Sequence, residues 1–207
     1  RKLTLLAQNI FEGTIDFNSH IAEYQANNKI TLNTEQISAI SHALNNGVSV
    51  ITGGPGTGKT TIVKCILTIL EAIRKKVLLL APTGRASKRL SESCNQEAKT
   101  IHRALETNPT KEGGSIFHRN ESNPLDADVI IIDEMSMVDI SLFCSLLKAV
   151  RPTAKVIMVG DKDQLQSVGA GNVLRDIIES KQIQISFLNQ IYRQDKDSLI
   201  IVNAHLI

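Results

Sequence analysis

Five short runs of branched aliphatic residues alternate with segments of helical periodicity from residue 48 onward. The runs cover 48–52, 77–81, 129–133, 155–160 and 183–187. They contain few polar residues, which is typical of strands that are buried on both faces of a sheet. Helices are expected at about 59–74, 84–93, 139–149, 171–180 and 197–205. This alternation predicts an α/β domain with a mainly parallel sheet flanked by helices.

The residues before 48 follow a different pattern. We expect 1–30 to hold the end of a preceding helical element and a linker, and 31–207 to form the α/β domain. The stretch LNTEQISAISHAL has apolar residues at helical spacing, and Asn33 or Thr34 suits its N-cap. The polar stretch 107–126 contains two prolines and a glycine pair, which indicates a long loop or insertion.

Composition excludes several classes of protein. An aromatic content of 3% argues against a broad aromatic platform for stacking bases. A net charge of +2 is only mildly basic, so any phosphate-binding surface has to be local. The three cysteines form no C-x-x-C pair, which indicates free thiols in a reducing, cytoplasmic compartment rather than a zinc site. No apolar stretch reaches membrane-spanning length, so we expect no membrane partner.

The stretch GGPGTGKTT at 53–61 fits the phosphate-loop pattern G-x-x-x-x-G-K-[ST] between a predicted strand and a predicted helix. Its glycines allow backbone N–H groups to converge on phosphate oxygens at a helix N-terminus. Lys59 is expected to reach the β- and γ-phosphates of ATP, and Thr60 to hold Mg²⁺. The predicted nucleotide-binding residues of this stretch are Gly54, Pro55, Gly56, Thr57, Gly58, Lys59, Thr60 and Thr61.

The stretch VIIIDEMS at 129–136 places two acidic residues at the end of a predicted strand. Asp133 is expected to hold the Mg²⁺ shell. Glu134 is expected to orient or deprotonate the attacking water as a general base. Two adjacent acids of this kind favour hydrolysis over simple nucleotide storage.

Three further segments carry polar residues at predicted strand ends. APTGRASKRL places Arg85 at a helix start, which suits a phosphodiester backbone but equally fits a solvated basic helix face. KTIHRAL offers Thr100 and His102, and a lone histidine at such a turn is often structural. GDKDQLQSVGAGN follows the fourth strand, so Gln164 is expected beside the strand of Asp133, where its amide can sense a γ-phosphate.

Together these motifs resemble those of superfamily 1 DNA helicases. The segments GGPGTGKTT, APTGRAS, KTIHRAL, IIDEMSMVD, GDKDQLQSVGAGNVL and LNQIYRQ occur in the order typical of the RecD type, which includes the exodeoxyribonuclease V alpha subunit and its stand-alone relatives. The resemblance covers about residues 32–207. It implies a RecA-like P-loop NTPase domain, with a short helical N-terminal extension, that uses ATP and Mg²⁺.

The resemblance also implies roles for individual residues. Gln36 resembles the glutamine that recognises adenine, and Gln164 resembles the residue that couples the γ-phosphate to the grip on DNA. Arg193 resembles an arginine that stabilises charge in the transition state. The residues that resemble single-strand DNA contacts are Pro82, Thr83, Gly84, Arg85, Thr100, His102, Met135, Ser136, Ser167, Val168 and Gly169. The family further implies 5′-to-3′ movement on single-stranded DNA.

The sequence departs from the complete helicase pattern at one point. The motifs of a second RecA-like domain are not found in these 207 residues. Because the chain starts with Arg1 and ends without a turn signal, we expect it to be a piece of a longer polypeptide. Since ATP lies between two such domains in this family, we expect the chain alone to bind nucleotide weakly, with negligible turnover and no unwinding.

Several partners and alternative functions follow from the same residues. The expected partners are single-stranded DNA, the second RecA-like domain and, in a nuclease-helicase complex, other subunits. A related superfamily 1 motor, either a conjugative relaxase-helicase or an RNA helicase, is an alternative. A nucleotide-gated subunit that binds without hydrolysing is another, and Glu134 argues against it because such a subunit needs no water-activating acid.

Overall fold

The computed structural model describes residues 2–9, 16–109, 115–165, 167 and 169–191. Its strands are β1 (Val48–Gly53), β2 (Val77–Ala81), β3 (Ala98–Thr100), β4 (Thr107–Pro109), β5 (Ser115–Phe117), β6 (Val129–Ile132), β7 (Lys155–Gly160) and β8 (Gln184–Leu188). Its α-helices are α1 (Lys2–Leu6), α2 (Phe17–Asn28), α3 (Thr34–Asn45), α4 (Lys59–Ala72), α5 (Gly84–Cys94), α6 (Ile101–Ala104), α7 (Ile140–Ala149) and α8 (Val173–Ser180). A 3-10 helix spans Met135–Met137.

The central sheet is parallel, with the strand order β3-β2-β6-β7-β1-β8. The prediction of a mainly parallel α/β sheet is confirmed, and each of the five predicted strands agrees with the observed one to within a residue at each end. Four predicted helices are confirmed as α4, α5, α7 and α8. The predicted helix at 197–205 lies outside the described residues.

The sheet has one hydrophobic core on each face because successive residues of a strand point to opposite sides. Ile130 and Ile132 of β6 face a core shared with α7 and α8. Val129 and Ile131 of the same strand face a second core shared with α2, α3, α4 and α5. Helices therefore cover both faces and leave the ends of the strands as the accessible edges.

The start of the chain also packs onto this second core. Phe17, Ile21 and Tyr24 of α2 are buried in the cluster that contains the apolar face of α4. The domain boundary near residue 30 stays a prediction. Among the described residues, no helix combines the length and apolar character needed to span a bilayer.

Two features of the fold were predicted only in part or not at all: the strand before KTIHRAL had no predicted bounds, and no strands were predicted within 107–126. β3 is a three-residue strand at the edge of the sheet, and its residues are only partly buried, so it lacks the aliphatic run that marks the other strands. The polar stretch 107–126 contains an antiparallel hairpin in which Asn108 of β4 lies opposite Ile116 of β5.

Candidate nucleotide site and nucleic-acid surface

A cleft of about 860 Å³ opens at the carboxyl ends of the strands. Parallel strands place all these ends at one edge, and β7 lies between β1 and β6. The loops after these three strands therefore meet in one place. The cleft is lined by the predicted site residues Gln36, Pro55, Gly56, Gly58, Lys59, Thr60, Thr61, Asp133, Glu134 and Gln164.

The phosphate loop is held by its own hydrogen bonds. The Lys59 ammonium donates to the carbonyl oxygens of Gly53 at 2.5 Å and Gly54 at 2.9 Å. The Thr57 hydroxyl donates to the Gly54 carbonyl oxygen at 2.9 Å, and Thr57 is only 2% exposed. Gly54 and Thr57 were predicted to bind nucleotide. Neither is among the described residues that line the cleft, and their contribution in the structure is the hydrogen bonding within the loop.

The first turn of α4 presents free backbone donors to the cleft. Gly58 is its N-cap, with φ of 88°, and in the described part of the chain no side chain caps this helix. The N–H groups of the first turn of a helix lack intrahelical partners, and the helix dipole favours negative charge there. This helix start is therefore suited to binding phosphate oxygens.

Gln36 ties the start of α3 to the phosphate loop. Its Oε1 accepts from the Asn33 N–H at 3.1 Å, and its Nε2 donates to the Thr57 carbonyl oxygen at 3.2 Å. Asn33 Oδ1 accepts from the Gln36 N–H at 2.7 Å, which completes a capping box and confirms Asn33 as the N-cap. An amide has two donor hydrogens and two acceptor sites, so these bonds use one of each in Gln36, which is 4% exposed.

Asp133 and Glu134 follow β6 at the floor of the cleft. Burial raises the pKa of Asp133, and the Glu134 charge raises it further, while Lys59 and Arg89 act in the opposite direction, as does the hydrogen bond from the Glu134 N–H. Glu134 has φ of 53°, a left-handed conformation that is uncommon for a residue with a side chain. Such conformations cost free energy and concentrate at functional sites.

The residues present fit a magnesium ion. The Thr60 hydroxyl and the Asp133 carboxylate line the same cleft. Mg²⁺ prefers oxygen ligands, and in nucleotide sites it is bound by one or two protein groups together with phosphates and water. Among the described residues there is no cluster of three or more acidic, histidine or cysteine side chains, so a protein-only metal cage is not indicated.

Gln164 is linked to the segment that carries the acidic pair. Its Oε1 accepts from the Ser136 hydroxyl at 2.8 Å, as the neighbouring positions of β6 and β7 allow. Gln164 itself is exposed, whereas Ser136 is 7% exposed. Met135 is fully buried in the core, so its side chain has no surface to offer to DNA, in contrast to the predicted contact.

Other predicted DNA contacts lie at the same edge of the sheet, after β2 and β3. The Thr83 hydroxyl accepts from the Ala86 N–H at 3.2 Å, and the Thr100 hydroxyl accepts from the Arg103 N–H at 3.1 Å. Both threonines are thus N-caps, which gives each a structural role besides the predicted one. Pro82, Gly84, Arg85 and His102 flank them, and all but the partly buried Pro82 are exposed.

The loop after Gln164 holds the remaining predicted contacts. The Ser167 hydroxyl donates to the carbonyl oxygens of Gly169 at 3.1 Å and Gly171 at 3.3 Å. Gly169 is exposed. Two predicted site residues lie outside the described residues: Val168, a predicted DNA contact, and Arg193, predicted to stabilise charge in the transition state.

Some of the residues that line the cleft were not predicted from the sequence. One face of α5 lines the cleft with Ala86, Arg89, Leu90 and Ser93. Their spacing of three to four residues is that of one helix face, so the pattern was present in the sequence. The connector residues 29–32 and Asp161 also line the cleft. The connector carries no comparable signal, because irregular segments have no period.

Known proteins with similar sequences include an ATP-dependent helicase and subunits that carry a RecD name. Residues 36–170 match the profile of the AAA domain family. The chain is 40% identical over 174 residues to the ATP-dependent RecD2 DNA helicase of Deinococcus radiodurans, covering 84% of this chain and 23% of that protein. It is 42% identical over 168 residues to the RecBCD enzyme subunit RecD of Mycolicibacterium smegmatis, covering 70% and 30% respectively. The chain thus spans less than a third of the length of these relatives.

Solved structures agree on the fold. The crystal structure of the Pif1 helicase from Candida albicans matches with a TM-score of 0.62 and 27% identity, covering 84% of this chain and 43% of that one. Bacteroides Pif1 in complex with ADP-AlF4 matches with a TM-score of 0.56 and 22% identity, covering 86% and 46%. The RecA-like motor fold inferred from the motifs is confirmed. The chain therefore belongs to the AAA domain family, and the relatives that it resembles are RecD-type DNA helicases.

Proposed function

We propose that this domain is the ATP-hydrolysing motor of a RecD-type DNA helicase, which moves 5′ to 3′ on single-stranded DNA in recombination and repair. One observation carries the proposal. A single cleft brings together the phosphate-loop residues Lys59 and Thr60, the acidic pair Asp133 and Glu134, and Gln164. These are the groups that phosphate binding, water activation and sensing of the γ-phosphate require.

The proposed chemistry is hydrolysis of the terminal phosphate of ATP. The N–H groups at the start of α4 and the Lys59 ammonium stabilise charge on the β- and γ-phosphates. Thr60 and Asp133 would hold Mg²⁺, which neutralises phosphate charge. Glu134 accepts a proton from a water molecule while the oxygen of that water attacks the γ-phosphorus of ATP. The bond between the γ-phosphorus and the β–γ bridging oxygen breaks, which gives ADP and phosphate.

The link to DNA runs through Gln164. Its Oε1 accepts from Ser136, and its NH₂ group can donate to a phosphate oxygen or to a water. Five residues further along the chain, Gly169 belongs to the loop proposed to contact DNA. Release of phosphate would therefore change the contacts of a residue that lies close to the nucleic-acid surface in sequence.

The parent protein is proposed to act in the cytoplasm with a second RecA-like domain that completes the ATP site. Several relatives carry the name of a RecBCD enzyme subunit. Assembly with other subunits of such a complex is accordingly one proposed setting for the domain, and a stand-alone helicase such as the Deinococcus relative is the other.

ATPase assays on the full-length protein, with and without single-stranded DNA or RNA, test this function. We expect strong stimulation by DNA and its loss in Glu134→Gln, which keeps the size of the side chain but cannot accept the proton. Stimulation by RNA alone would indicate the related RNA motor, and no hydrolysis at all would indicate the nucleotide-gated subunit. A forked substrate with a single 5′ or 3′ tail then tests the direction of movement.

A further inference from the structure

One face of α5 forms a wall of the nucleotide cleft. Its members are Ala86, Arg89, Leu90 and Ser93, and Arg89 is the one cation among these four. The Arg89 side chain is exposed, and within the described part of the chain it makes no hydrogen bond or ion pair. A guanidinium carries five N–H donors, so this side chain can offer several donors to a ligand in the cleft.

The orientation of α5 is fixed by its contacts with the core and with β3. Leu90 is buried in the hydrophobic cluster that also contains the apolar face of α4. The Ser91 hydroxyl accepts from the Ala98 N–H of β3 at 2.8 Å and donates to the Ser87 carbonyl oxygen at 2.9 Å. Because these contacts set the rotation of the helix about its axis, Arg89 is held on the side of the cleft.

Arg89 and Lys59 belong to elements on either side of the strand that leads to the acidic pair. α5 follows β2, which pairs directly with β6, whereas α4 follows β1, which lies beyond β7 on the other side of β6. Burial raises the pKa of Asp133, and the charges of Lys59 and Arg89 are among the causes that lower it. Both cations are thus close enough to act on the carboxylate that is proposed to hold Mg²⁺.

The charges that line the cleft balance only when Arg89 is counted. In the part of the chain that the structure describes, three cations and three acids line it: Lys29, Lys59, Arg89, Asp133, Glu134 and Asp161. The Mg²⁺ complex of ATP keeps a net negative charge. Without Arg89 the acids would be in excess, and the cleft would attract this ligand less strongly.

We propose that Arg89 is a further phosphate-binding residue, which contacts the β- and γ-phosphates of ATP from the α5 side of the cleft. The proposal deepens the proposed function and rests on it, because it adds a ligand contact to the same site. A guanidinium can donate two parallel hydrogen bonds to phosphate oxygens, which an ammonium cannot do. Arg89 therefore contributes geometry as well as charge.

Nucleotide binding to the full-length protein, without DNA, tests this contact. In Arg89→Gln, we expect the Kd for MgATP to rise about tenfold or more, because a charge-assisted hydrogen bond is lost. The Kd for AMP, measured by competition, should change less than about twofold, because AMP has neither of the two phosphates. Arg89→Lys keeps the charge without the planar fork, so its Kd for MgATP should lie between those of the wild type and Arg89→Gln.

Lys88→Gln is the matched control on the same helix. Lys88 is exposed, is not among the described residues that line the cleft, and lies 4.0 Å from Glu92 in a surface ion pair. The substitution removes the same charge one position away. We expect it to leave the Kd for MgATP within about twofold of the wild type. The melting temperature of each variant should stay within about 2 °C of the wild type, because both side chains are exposed.

Binding of single-stranded DNA without nucleotide distinguishes a nucleotide contact from a DNA contact. Arg89→Gln should leave this affinity within about twofold of the wild type. An unchanged Kd for MgATP in Arg89→Gln, an equal loss for AMP, or a loss as large in Lys88→Gln would overturn the inference, and so would a loss of DNA affinity in place of ATP affinity. A wild type that binds MgATP without hydrolysing it would instead refute the proposed function, so the two failures are distinguishable.

Discussion

Replacing Gly58 with alanine tests whether the phosphate loop and Gln36 form one unit. Gly58 has φ of 88°, and an added Cβ would lie 2.3 Å from Gln36 Nε2. A left-handed conformation costs a residue with a side chain about 1–2 kcal/mol. The amide of Gln36 must also move, and losing its bond to Thr57 costs about 0.5–1.5 kcal/mol. The expected loss in free energy of unfolding is therefore roughly 1.5–3.5 kcal/mol.

Urea and thermal unfolding of the 207-residue chain measure this loss. A domain of this size loses about 2–4 °C in Tm per kcal/mol, so we expect a decrease of roughly 3–14 °C. Gly54→Ala is the matched control in the same loop, because nothing lies within 4 Å of its added Cβ and its φ is not positive. We expect that control to stay within about 0.5 kcal/mol of the wild type.

Binding of ATP gives the second readout for Gly58→Ala. Because the substitution displaces both the start of α4 and the residue proposed to contact adenine, affinity should fall together with stability. The reasoning would be refuted if Gly58→Ala unfolded like the wild type, or if Gly54→Ala lost as much stability as Gly58→Ala.

Three further predictions follow. Burial lowers the pKa of Lys155 from 10.5 to about 8, so the unfolded chain binds this proton more tightly and stability should rise with pH between these values. Relative to Lys155→Met, the wild type should gain about 2–3 kcal/mol in urea unfolding between pH 7 and pH 10, and an equal difference at both would contradict this. Asp133→Asn should raise the melting temperature while abolishing ATP hydrolysis, because burial raises the pKa of Asp133 and disfavours its charged form; a lower Tm would contradict this. Gln164→Ala should uncouple unwinding from hydrolysis with ATP binding largely intact, and lost binding would contradict that role.

The fold was predictable wherever burial is strong. Central strands such as β6 and β7 are buried along their whole length, so apart from Lys155 and the terminal Gly160 they contain only apolar side chains. Lys155 departs from the rule at the base of β7, where its ammonium donates to the Leu44 carbonyl oxygen at 2.7 Å. The edge strand β3 and the β4–β5 hairpin carry no such signal, because the side chains described there are partly or fully exposed.

The site was predictable where chemistry restricts residue types. Lys59 and Asp133 stand in patterns that few other functions require, and the structure brings them into one cleft. The orientation of α5 was not predictable from its basic character. Arg89 lines the nucleotide cleft, although the positive charge of this helix suggested either DNA contact or a solvated face. Charge attracts any phosphate, and only packing decides which one a given side chain can reach.

The loop after β7 contacts two other parts of the domain through the residues that the structure describes. At one end, Gln164 is bonded to Ser136, next to the acidic pair. At the other end, the Ala170 carbonyl oxygen accepts from the Ile140 N–H at 3.2 Å, and a Cβ on Gly169 would lie 2.6 Å from Asp139. Residues 169 and 170 are thus packed against the start of α7. We propose that a shift of Gln164 on phosphate release is passed along the chain to the backbone near Gly169, the surface proposed to touch the strand.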